Sequence, residues 1–207
     1  MLDRFARRII DPPLNRMGRS LAAAGATANG VTLVGLGLGL IAAYLIFRGQ
    51  FGAALFALLA SRLADGLDGA VARATQKSDF GGYLDIACDF LFYGAVPFAF
   101  VVFDPLANGV AGAFLLTSFY FNGSSFLGFA ILAEKHGLST DAQGKKSLYY
   151  SNGLLEGTET IGFFVLICLF PQWFAPLAWI FGLLCFATAT LRIIAARDLF
   201  THKGPQK

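Results

Sequence analysis

The sequence predicts an all-α, polytopic membrane protein of six transmembrane helices with an N-terminal amphipathic interfacial segment, and three observations predict it. Apolar residues make up 56% of the 207, with 22 phenylalanines among them, too much hydrocarbon for an ordinary soluble domain. Six windows approach the roughly 20 apolar residues that cross a bilayer core. Basic residues collect in alternate connections between those windows, as they do when charge sets topology.

The elements follow in order. Leu2, Phe5, Ile9 and Ile10, then Leu14, Met17 and Leu21, recur at helical spacing among Arg4, Arg7, Arg8, Arg16 and Arg19. Residues 1–29 therefore read as a cytoplasmic amphipathic segment, broken at Pro12 and Pro13, whose arginines face anionic headgroups. A simple positive topology anchor would look much the same. The windows run Val31 to Phe47, Phe51 to Ala74, Gly81 to Phe103, Asn108 to Ala133, Asn152 to Phe170 and Trp173 to Ala196. They fill residues 31–196 with one six-helix bundle, so 1–207 reads as a single domain. Gly35 and Gly39 form a small-residue step in the first window that suits close packing of another helix. Cys88, Cys168 and Cys185 lie inside windows and have no metal-ligand spacing, so they read as packing residues.

Orientation comes from the loops. The five arginines above, Lys77, Lys135, Lys145, Lys146, Arg197, Lys203 and Lys207 fall on one side, whereas the connections near Gly49, Asp104 and Pro171 carry only Arg48. Both termini are expected in the cytoplasm, in an arrangement suited to a bacterial inner membrane. Nothing in this pattern suits nucleic acid.

Charge inside an apolar window is costly and marks function by default. The stretch from Ser61 to Phe90 places Asp65, Asp68, Asp85 and Asp89 around one short cytoplasmic turn. Asp65 and Asp68 share one helix face, and Asp85 and Asp89 share another. Four carboxylates gathered at low dielectric repel one another unless cations compensate them. One or two hard divalent ions with oxygen ligands and open positions suit such a set, and suit phosphoryl transfer better than a closed structural site. Gly69 and Ala72 leave room beside the aspartates, and Arg73 at the membrane edge can meet a phosphate with two hydrogen bonds. Histidine occurs only at His136 and His202, outside this cluster, which leaves a carboxylate, best Asp89, as general base.

In order, Asp65, Asp68, Gly69, Ala72, Arg73, Gly81, Asp85 and Asp89 match every fixed position of the signature that this stretch resembles, that of the CDP-alcohol phosphotransferase family. The spacer from Arg73 to Gly81 is one residue shorter than the family's commonest form, a change confined to a turn. The resemblance implies that Asp65, Asp68, Asp85 and Asp89 bind divalent metal, Mg2+ or Mn2+ and two ions, with Asp89 also taking the acceptor's proton. It implies that Asp65, Gly69, Ala72 and Arg73 line a site for the cytidine nucleotide and its diphosphate. Asn29 and Thr32 resemble the family's Asn-x-x-Thr near that nucleotide, although Asn29 suits a helix start equally well. The expected reaction moves a phosphatidyl group from CDP-diacylglycerol to a small alcohol and releases CMP, within a homodimer in membrane lipid.

Other readings stay open on the residues. Transfer from a soluble CDP-alcohol to diacylglycerol would use the same aspartates. A divalent-cation transporter could use an aspartate-lined path, although no matching acidic pairs occur deeper in the later windows. A scaffold retaining an idle motif would carry the same signature. For the acceptor, Lys145 and Lys146 suit a phosphate. Glu156 and Glu159, three apart in the fifth window, suit hydroxyls or an amine, or serve as ion partners of Lys145, Lys146 or Arg62.

Overall fold

The computed structural model describes residues 3–137, 155 and 157–202, with side chains from residue 11 to residue 201. It is built from helices: α1 (Asp3–Ala23), α2 (Ala28–Phe47), α3 (Phe51–Ala74), α4 (Asp79–Phe103), α5 (Pro105–Lys135), α6 (Gly157–Leu169) and α7 (Phe174–His202). The six windows correspond to α2 through α7. Helices α2, α4 and α5, and the stretch Pro171–Thr201 that contains α7, are long and apolar enough to cross a membrane. At 24 residues α3 has the length, but Arg62, Asp65, Asp68 and Arg73 dilute its apolar character. The described part of α6 has 13 residues.

Local chemistry sets the ends of these elements. The hydroxyl of Thr27 accepts from the Gly30 amide at 3.2 Å and starts α2. Ser78 does the same for α4, accepting from Gly81 at 3.0 Å. Each satisfies one of the amides that a helix start leaves orphaned. Asp104 ends α4 and caps α5 through the Ala107 amide, with Pro105 in the first turn, where its missing N–H costs nothing.

Pro12 and Pro13 do not break α1, contrary to the sequence expectation, and the helix runs through both. Their rings lie on an exposed face, and on such a face solvation can take the place of the hydrogen bonds that proline removes. The buried face of α1 is Leu14 and Gly18, and Leu14 clusters with Leu67 and Ala70 of α3. Arg16 and Arg19 are exposed.

In the bundle, α2 packs on α3 and α4, α4 on α5, α5 on α7, and α6 on α3. Lipid is as apolar as the helix faces, so association depends on close fit. Gly35 and Gly39 supply that fit as expected. A Cβ at Gly35 would lie 3.3 Å from Ala64 Cβ, and one at Gly39 would lie 2.6 Å from the Phe92 ring. The core is aromatic: Phe100 stacks on Phe174 at 4.7 Å between centroids, and Phe163 on Phe181 at 4.3 Å. The three cysteines are buried and free, as packing residues should be.

Candidate active site

Helices α3 and α4 meet at the turn Thr75–Ser78, so the last turns of one and the first turns of the other face each other. That juxtaposition assembles the aspartates. One carboxylate oxygen from each of Asp65, Asp68 and Asp85 lies within 4.8 Å of the others. Three oxygen donors at that spacing, with no sulfur or imidazole among them, fit a hard divalent cation.

Two of the three, Asp68 and Asp65, have a visible support. Asp68 is buried, and its Oδ2 accepts a hydrogen bond of 2.6 Å from the Thr32 hydroxyl of α2. That hydroxyl also lies 3.1 Å from the Ala28 carbonyl, but its one proton serves the carboxylate at the shorter distance. Asp65 is bridged by Arg62, one turn earlier on α3, at 3.4 Å. Asp89 is outside the group of three and is bound by the same guanidinium, Nη1 to Oδ1 at 2.8 Å.

A cavity of about 480 Å³ opens beside the aspartates, between the start of α2, the end of α3 and the start of α4. Asn29, Thr32, Asp68, Gly69, Ala72, Arg73, Gly81 and Asp85 all contribute to its wall. Six of the eight signature residues thus share one hollow with Asn29 and Thr32. Asp65 and Asp89 are not in its lining; each lies about one helical turn, near 5 Å, deeper along its helix than its partner aspartate. The glycines matter here by size. A Cβ at Gly81 would sit 3.1 Å from Asn29 Oδ1, and one at Gly69 would sit 3.2 Å from an Arg73 nitrogen. Thr27, not Asn29, caps α2, so Asn29 is left in the first turn facing the cavity.

Arg73 is not loose at this rim. Its Nε and Nη2 donate to Asn15 Oδ1 at 3.1 and 2.9 Å, so α1 reaches the site as well as the bundle. Sequence reasoning missed Asn15 and the positions of Arg62 and Arg192. Arg192 is buried in α7, and its Nη1 donates to the Asn122 side chain and carbonyl and to Ser125 on α5. A charged residue in the sixth window was the available signal for it. Of the acceptor candidates, Glu159 lies in the first turn of α6. The adjacent Gly157 is packed so that a Cβ would be 3.5 Å from Tyr93 Oη, one turn beyond Asp89. Lys145, Lys146 and Glu156 lie outside the described residues.

Comparison with known proteins gives the family and the fold. The family model for CDP-alcohol phosphatidyltransferase matches residues 26–195. Inner membrane protein YnjF of Escherichia coli is 50% identical over 193 residues, 93% of this chain and 94% of that protein. Archaetidylinositol phosphate synthase of Pyrococcus horikoshii is 41% identical over 81 residues, 39% of this chain and 43% of that one. The crystal structure of Mycobacterium tuberculosis phosphatidylinositol phosphate synthase with CDP-DAG bound has a TM-score of 0.65 at 21% identity, covering 89% of this chain and 93% of that one. The structure of that enzyme with manganese and citrate also gives 0.65, at 19% identity, covering 88% of each. At these identities the likeness to the solved structures is one of fold.

Proposed function

The chain belongs to the CDP-alcohol phosphatidyltransferase family, and on that premise we propose that it transfers a phosphatidyl group from CDP-diacylglycerol to the hydroxyl of a small alcohol, releasing CMP. One observation carries the reading: Asp68 and Asp85 of the carboxylate triad line the cavity together with Asn29 and Arg73, while Asp89 lies outside that lining, about one turn beyond Asp85 on α4. Phosphoryl transfer runs roughly in line, with the attacking and leaving oxygens on opposite sides of phosphorus. A nucleotide in the cavity puts the departing CMP oxygen on the Asn29 and Arg73 side. The acceptor hydroxyl then approaches from the Asp89 side.

Each residue has a defined task in this reading. Arg73 and the small residues Gly69 and Ala72 seat the diphosphate. Asp65, Asp68 and Asp85 would hold divalent metal, Mg2+ or Mn2+ and two ions in all, with Asp89 alongside, and metal bound there supplies charge neutralisation for the diphosphate and CMP. Asp89 accepts the acceptor's proton as the new ester bond forms. Glu159 at the start of α6, with Lys145, Lys146 and Glu156, is the proposed acceptor side. The relatives named for inositol phosphate products place inositol phosphate first among acceptors to try. The basic connections and the cytoplasmic supply of CDP-activated compounds support a cytoplasmic site with both termini on that side, in a bacterial inner membrane; a homodimer is the assembly that the family resemblance implies.

The test uses purified protein in detergent with CDP-diacylglycerol, Mg2+ or Mn2+, and a panel including inositol phosphate, glycerol phosphate, serine and phosphatidylglycerol. Acceptor-dependent CMP release is expected with one of them. CMP release only from CDP-choline or CDP-ethanolamine with diacylglycerol would reverse the donor assignment, and Mn2+ flux without CMP would replace it by transport.

A further inference from the structure

We propose that Arg62 is the positioning residue for Asp89, fixing the carboxylate that takes the acceptor's proton; the proposal rests on the transferase reading above. Arg62 lies outside the signature, three residues before Asp65 on α3. Its side chain is only 10% exposed, against 29% for Asp89 and 34% for Asp65. The guanidinium therefore sits behind the carboxylates, on the side away from the entering groups.

Three constraints hold it there. Nη1 bonds Asp89 at 2.8 Å and reaches Asp65 at 3.4 Å. Nη2 donates at 3.2 Å to Ser61, whose own hydroxyl donates at 2.7 Å to the Gly35 carbonyl. The guanidinium carbon stands 3.9 Å from the centre of the Phe92 ring, a fully buried side chain one turn beyond Asp89. Cation, ring and carboxylate thus form a stack with little freedom. Nε of Arg62 is buried and has no hydrogen-bond partner among the described residues. The same group meets two carboxylates, and the Ser61 bond and the Phe92 stack fix the direction from which it does so.

The geometry also explains why lysine is no equivalent. An ammonium could reach both carboxylates with one nitrogen, as Nη1 does, but it has no second nitrogen to hold Ser61 and no flat face to lie on Phe92.

The experiment compares parent, Arg62→Met and Arg62→Lys in detergent, reading kcat and KM for CDP-diacylglycerol from CMP release. Direct Mn2+ titration of each protein gives a readout independent of turnover. Arg62→Met is expected to lower kcat about a hundredfold, the scale of a displaced general base. Donor KM should stay within about threefold, and Mn2+ affinity should fall by less than about tenfold, because Arg62 reaches Asp65 only at 3.4 Å and the other two ligands are untouched. Arg62→Lys should recover about tenfold of that kcat. Parent-like kcat in Arg62→Met, or equal loss of donor binding, Mn2+ binding and kcat, overturns the assignment, as does a lysine variant that recovers nothing. Where Arg62→Met does not fold, Arg62→Lys decides alone: reduced kcat with donor KM and Mn2+ affinity inside those limits supports it, and any other result overturns it. A parent protein that releases no CMP with any acceptor removes the transferase reading itself, a failure distinct from these.

Discussion

The Thr32 hydroxyl donates to Asp68 Oδ2 at 2.6 Å in the interior of the site, tying α2 to a carboxylate of α3 across 36 positions of sequence. The sequence expectation placed Thr32 at the nucleotide. It does line the cavity, but its proton is committed to a candidate metal ligand.

Thr32→Val keeps the volume and removes that hydrogen bond. Groups that orient metal ligands typically carry about 10- to 100-fold in affinity. The expected result is weaker Mn2+ binding by about tenfold, with Thr32→Ser close to parent. An unchanged Mn2+ titration together with a higher KM for CDP-diacylglycerol would instead return Thr32 to direct nucleotide contact.

Asn15 holds Arg73 by two hydrogen bonds from a different helix. Asn15→Ala leaves the guanidinium its charge and removes its orientation. Donor KM should rise about fivefold to tenfold, about what one ordinary hydrogen bond is worth, with kcat little changed. Arg73→Lys, which loses the flat two-pronged donor altogether, should raise it further. Equal donor KM in parent and Asn15→Ala would show that the diphosphate aligns Arg73 unaided.

Docking of α1 depends on Gly18. A Cβ there would stand 2.6 Å from Ala70 Cβ and 2.7 Å from the Ala70 carbonyl carbon. Backbone cannot swing aside as a side chain can, so Gly18→Ala should cost about 1–3 kcal/mol by overpacking. Thermal unfolding in detergent should show a lower midpoint, and Ala70→Gly in the same chain should restore part of it. A midpoint equal to the parent's would mean that α1 is not seated on α3 as described.

Asp65→Asn, Asp68→Asn and Asp85→Asn should each abolish measurable Mn2+ binding and reduce CMP release by at least about a hundredfold. Asp89→Asn should lower CMP release comparably while retaining more of the Mn2+ binding than the other three, since its carboxylate lies outside the close group. Four indistinguishable Mn2+ titrations would contradict that division.

What could be read from the chain, and what could not, divides along physical lines. Long apolar windows and charges within them are local signals, so α2 to α7 and the aspartates were legible. The small-residue step at Gly35 and Gly39 was legible because steric fit follows spacing along one helix. Pro12 and Pro13 misled because the rule for proline concerns a lost hydrogen bond, and an exposed helix face can let water take its place. Asn15 and Arg73 are 58 residues apart and Arg62 and Asp89 are 27 apart. No local pattern announces a pair whose meeting depends on how three helices cross. Arg192 was different: its signal was present, as a charge inside an apolar window, and was passed over.

The Phe92 ring, roofed by the Arg62 guanidinium and edged by Phe164 at 5.7 Å, has one further consequence. Below it lie the stacked phenylalanines of α4, α6 and α7. A membrane that stores energy as an ion gradient tolerates an acidic hollow on one face only if that hollow has a sealed floor. Phe92 is placed to be that floor. Vesicles containing the protein should hold a proton gradient as long as empty ones do, and Phe92→Ala should shorten its lifetime before it alters the chemistry above.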